Sequence, residues 1–143
     1  MQRRAAFKSL LAVLLAGAAS GEAKAEEARA RRVVYHLDDS DKVAFTLANM
    51  KNHRAGGPEG LALSAVILGP ALALFHASDA SEAIKHGLAE RIAAGDVFYA
   101  CINTLAAHGW TLADLTPGFA LADKGGVVKL ADLQAQGFVY LRP

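Results

Sequence analysis

The chain of 143 residues holds a single cysteine, Cys101, so an intrachain disulfide framework is excluded and a core must form from apolar burial alone. It has no Cys-x-x-Cys pair, no His pair at i, i+4 and no dense acidic loop, which removes the common zinc and calcium sites. Gly-x-Ser-x-Gly, a phosphate loop and a Gly-x-Gly-x-x-Gly turn after a strand are all missing; Gly56 to Gly60 lacks that spacing and precedes a strand. A metal, a nucleotide or another cofactor is therefore not expected. Long hydrophobic runs are also scarce. The longest apolar stretch, Leu10 to Ala19, is too short to span a bilayer comfortably.

That stretch has another use. Arg3, Arg4 and Lys8 precede it, and Ala23-Lys24-Ala25 supplies the small-x-small pattern of a signal-peptidase site. Residues 1–25 read as an export signal of the general secretory or twin-arginine type, which predicts a periplasmic protein with no membrane attachment after cleavage. Cleavage after Ala25 removes four of the fifteen basic residues (Arg3, Arg4, Lys8, Lys24) and one of the fourteen acidic ones (Glu22), taking the net charge from +1 to −2. No basic block remains beyond Arg29-Ala30-Arg31-Arg32, so nucleic acid is not an expected partner.

Residues 26–31 read as a mobile charged lead-in, and 32–143 as one domain. Within it, strand and helix signals alternate. Strands are expected at Arg32–Leu37, Leu61–Leu68, Val97–Ile102, Phe119–Ala122 and Phe138–Leu141. Helices are expected from the caps at Asp38–Asp41 to about His53, at Ala71–Phe75 after Pro70, from an Asp79/Glu82 capping pair to Gly95, from Asn103 to His108, and over Val127–Gln136. This alternation predicts a three-layer α/β/α sandwich on a mainly parallel sheet of about five strands.

In such sheets ligands bind beyond the carboxyl ends of the strands. Asp38 and Asp39, then Gly69 and Pro70, then Cys101, Asn103 and Thr104 all fall on that rim. His36 and His76 lie near it and are candidate tuners of the thiol, though packing in the sheet for His36 and a partly exposed loop position for His76 account for them without that role. His53, His86 and His108 are expected toward helix C-termini, a structural placement. Cys101 is the candidate nucleophile because backbone N–H groups at a helix start favour a thiolate, although a free cysteine is equally a small buried hydrophobe. Asn103 and Thr104 are candidate donors to that sulfur, or caps.

The segments Tyr35-His36-Leu37-Asp38, Gly69-Pro70-Ala71, Gly95 through Thr104 to Gly109, Leu115-Thr116-Pro117-Gly118 and Gly126 through Pro143, in this order, resemble the DsrE/DsrF-like proteins of the YchN-like fold. The resemblance covers residues 32–143. It implies a compact α/β/α fold, self-association into a homo-oligomer, and a cysteine that accepts sulfur as a persulfide and passes it to a partner. That role would fall to Cys101, with a sulfur donor or acceptor protein, or a small sulfur compound, as partner. The alternative is a non-catalytic oligomeric binding or assembly protein in which Cys101 is structural.

Overall fold

A computed structural model describes residues 19–29 and 31–143. The expected export signal lies mostly outside the described residues. Residues 19–29 are helical and exposed, with a Glu27–Arg31 ion pair one turn apart.

Five strands form the sheet: β1 Arg32–Leu37, β2 Ala62–Ile67, β3 Val97–Cys101, β4 Phe119–Ala122 and β5 Val139–Leu141. Their order is β4-β3-β2-β1-β5, and every pairing is parallel. The helices are α1 Val43–Gly56, α2 Pro70–Ala73, α3 Glu82–Ala93, α4 Ile102–His108 and α5 Gly126–Ala135. Turns of 3₁₀ helix occupy Ser40–Lys42 and Leu112–Asp114. The central strand β2 is buried at all but its first residue, which is why it reads as a continuous apolar run rather than an alternating one.

From β1 to β4 the chain steps across the sheet in one direction. Right-handed crossovers then place the intervening helices on one face. Val33, Tyr35, Leu37, Leu63, Ala65, Ile67 and Phe98 pack there against Val43, Leu47 and Met50 of α1, Leu72 of α2, Leu88 of α3 and Leu105 of α4. The step from β4 to β5 runs back past β1, so α5 lies on the opposite face. It packs Leu130 and Leu133 on Val34 and Val66, with Leu68, Tyr99 and Phe138 at the margin. One face is thus covered by several helices and the other chiefly by one.

At the amino edge of the sheet, Asp96 just before β3 is fully buried between two arginines. Arg54 from the end of α1 donates to Asp96 Oδ1 through Nε (2.9 Å) and Nη2, and to the carbonyl of Leu61 through Nη1 (3.1 Å). Arg91 from the end of α3 places Nη1 3.6 Å from Asp96 Oδ2. The triad ties α1 and α3 to the β3 entry.

Local boundaries differ from the sequence expectation in instructive ways. The cap of α3 is Ser81, whose hydroxyl accepts from the Ile84 N–H at 3.3 Å. Asp79 instead turns to His76 Nδ1 at 3.1 Å, so the Asp79/Glu82 capping pair is not formed. His86 lies in the first half of α3, within 3.9 Å of Glu90, and not at a helix C-terminus. Helices α4 and α5 each begin one residue earlier than expected, at Ile102 and Gly126, because Cys101 and Gly125 serve as their caps.

Removing the shared carboxylate would leave two guanidiniums facing each other, one of them buried. The Asp96→Ala variant is expected to lose about 3 kcal/mol of folding stability, read from urea unfolding.

Candidate functional site

The alternation of side chains along β3 decides where the thiol points. Tyr99 lies on the α5 face with Val34 and Val66, and Cys101, two residues on, shares that face. Cys101 ends β3 opposite Ala122 and caps α4, so the chain turns from strand to helix at the sulfur itself.

The first turn of α5 settles directly over it. The Gly126 N–H donates to Cys101 Sγ at 3.1 Å. A Cβ at Gly126 would stand 3.2 Å from the Cys101 Cβ and 3.3 Å from the Leu68 Cβ, so only glycine admits this approach freely. Gly125, at φ +105°, turns the chain into the helix, and a Cβ there would meet Asn103 Nδ2 at 2.8 Å. From the other side Thr104 faces the sulfur while its Oγ1 accepts the Gly69 N–H at 2.9 Å.

Cys101 is 4% exposed. Burial alone pushes its pKa up. Hydrogen bonds from the backbone N–H of Thr104, the N–H of Gly126, the Thr104 hydroxyl and the N–H of Asn103 outweigh burial and bring the thiol below its ordinary value. Cys101 lines a cavity of about 320 Å³, whose walls include Leu68, Gly69, Asn103, Thr104, Lys124 and Gly126. A shallower groove of about 600 Å³, floored by Pro70, Ala73 and Ala107, adjoins it and shares Gly69, Asn103 and Thr104.

The fold therefore brings Cys101, Asn103, Thr104 and Gly69 together around one cavity, with Pro70 at its margin. Asp38 stands on the far side of Gly69. Its two carboxylate oxygens accept from Arg142 Nη2 at 3.0 and 2.9 Å. Asp39 is engaged in capping, accepting from the Asp41 N–H at 2.9 Å. His36 pairs through Nδ1 with the Tyr140 hydroxyl at 2.6 Å, and its Nε2 lies 3.8 Å from Asp38 Oδ2. Burial lowers the His36 pKa, Asp38 opposes this and Arg142 reinforces it. His76 is not among the residues lining the thiol cavity: it bonds Ser78 and stacks against Trp110, whose ring also stacks on His108. Among the described residues, no group of three or more His, Cys, Asp or Glu side chains is placed to hold a metal ion.

The sequence reading passed over Gly126, Lys124 and Arg142. The Gly125-Gly126 pair ahead of an apolar helix was a usable signal, since two glycines at a helix start mark close backbone approach. Arg142 carries no local signal; its partner is 104 residues away.

No protein-family model matches the chain, and no curated protein matches it. A solved structure does. It is a protein of unknown function, MTH1491 from Methanobacterium thermoautotrophicum, 30% identical, with 78% of this chain and 98% of that one covered at a TM-score of 0.70. The chain belongs to the MTH1491 family. That kinship fixes the α/β architecture, while the chemistry of the MTH1491 family has to be argued from the site.

Replacing Gly126 with alanine is expected to push the start of α5 away from the sulfur and weaken the N–H···S contact. The midpoint of the pH–rate profile for alkylation of Cys101 should rise by about one unit, the worth of one hydrogen bond to a charged group. The linkage has a definite sign. A thiol depressed in the folded state adds stability that is fully present above the ordinary thiol value and is lost as pH falls through the depressed one. A profile unchanged by Gly126→Ala would remove the contact's role.

Proposed function

We propose that this protein is a sulfur carrier, a DsrE/DsrF-like sulfurtransferase, that holds a persulfide on Cys101. The observation that carries the reading is the convergence of hydrogen-bond donors from two helix starts on one sulfur, beside a cavity with room for an added sulfur atom. Such donors stabilise the thiolate, which is the nucleophilic form.

In the first step the Cys101 thiolate attacks the outer sulfur of a persulfide donor. A new S–S bond forms, the donor's S–S bond breaks, and the donor leaves as a thiolate that takes up a proton. In the second step a partner thiolate attacks the outer sulfur and Cys101 is regenerated as a thiolate. No external oxidant or reductant enters either step. The Gly126, Thr104 and Asn103 donors would serve the terminal sulfur's negative charge as they serve the thiolate's.

The charged start and short apolar stretch of residues 1–25 support export to the periplasm by the general secretory or twin-arginine route. Self-association is supported by Val97, Val127 and Val128, each at least 40% exposed beside or on the single helix that covers the second face. Sedimentation of the mature chain should give a mass above that of a monomer, and a monomer at all concentrations would exclude it.

The second reading, a binding or assembly protein with a structural cysteine, draws on the 4% exposure of Cys101. One experiment separates the two. After exposure to polysulfide, intact-mass spectrometry should show added sulfur on the native protein, and none on Cys101→Ser. A folded native protein that takes up no sulfur would leave the structural reading in place.

A further inference from the structure

The rim that carries Cys101 also carries a carboxylate, and an unscreened negative charge there would oppose thiolate formation. Asp38 follows β1, two strands from β3, a separation of about 10 Å at ordinary strand spacing. The intervening wall is thin. The Ala71 N–H donates to the Asp38 carbonyl at 3.3 Å. A Cβ at Gly69 would stand 3.7 Å from that carbonyl oxygen and 4.0 Å from the Asp38 Cβ. Gly69 itself lines the thiol cavity.

Other charges near the sulfur are few. Lys124, from the turn before α5, lines the cavity, and Asp123 precedes it. Further along α5, Lys129 is occupied over the Tyr99 ring at 4.8 Å. The first turn of α4 holds no charged side chain; β2 ends at uncharged Ile67, with Leu68 after it, and β4 at Ala122. On the β1 side stand Asp38, Arg142 and the imidazole of His36.

We propose that Arg142 is a positioning residue for the reaction at Cys101: its guanidinium, bonded to both Asp38 oxygens, holds that carboxylate toward β5 and neutralises it. The thiolate can then form on the same rim without the Asp38 charge uncompensated. The inference rests on the reactive-thiol reading of Cys101, but on no particular donor.

The test is the pH–rate profile of Cys101 alkylation by iodoacetamide on the full chain, with circular dichroism as the fold control. Arg142→Gln should raise the midpoint by about half a unit, slowing the reaction about threefold below it, as expected for one charge at this range in a partly screened setting. Arg142→Lys should retain most of the native behaviour. Asp38→Asn should lower the midpoint, because Arg142 is left unopposed. The double variant Arg142→Gln/Asp38→Asn should return to the native profile. A double variant as slow as Arg142→Gln would reduce Arg142 to a latch for β5 and overturn the proposal, as would an Arg142→Gln profile identical to the native one. Should Arg142→Gln fail to fold, Asp38→Asn carries the test, and an unchanged or raised midpoint there overturns it. Absent sulfur loading with these shifts present would sink the carrier reading alone; normal loading with flat profiles would sink the role of Arg142 alone.

Discussion

The missing side chain at Gly126 is the constraint on which the site turns. Because nothing projects from that residue, the start of α5 can lie against the end of β3 and the end of β2 at once, with its N–H on the Cys101 sulfur. The reversal of winding between β4 and β5 makes the contact possible. A fourth step in the original direction would have put the last helix on the crowded face and left the thiol side of the sheet bare. Sheet topology thus chooses the face, and a glycine sets the distance.

The two edges of the sheet handle charge differently. At the amino edge a carboxylate is fully buried and answered by two arginines, an arrangement that fixes helices α1 and α3 relative to β3. At the carboxyl edge the polar groups are partly open. Asp38 and Arg142 form an ion pair reached by solvent, and beside it the His36 imidazole and the Tyr140 hydroxyl are hydrogen-bonded. The first cluster is structural cement. The second sits at the β1–β5 switch in strand order, where open parallel sheets present their ligand sites.

Much of this was legible in the sequence. Five strands, the alternating helices, and the gathering of Asp38, Gly69, Pro70, Cys101, Asn103 and Thr104 on one rim follow from hydrophobic periodicity and turn chemistry. Those signals are local. What escaped was set by partners distant in the chain. Asp79 has the right spacing to cap α3, but His76 competes for its carboxylate and Ser81 takes the cap. Arg142 is an unremarkable basic residue until β5 pairs with β1 and brings it to Asp38. His76 could be placed near the rim from its position after Pro70, but its ring turns to Trp110 through contacts no local pattern encodes.

The wall over the sulfur also has a place in time. Cys101 and Gly126 are 25 residues apart, and the Asp38–Arg142 and His36–Tyr140 contacts each span 104. Closing loops of that length costs entropy before any contact repays it, so nearby strands and helices assemble first. Until α5 docks, the sulfur has only the donors of its own helix start, Thr104 and Asn103, and lies open on the side that Gly126 later covers. The last donor comes with the helix that closes the wall.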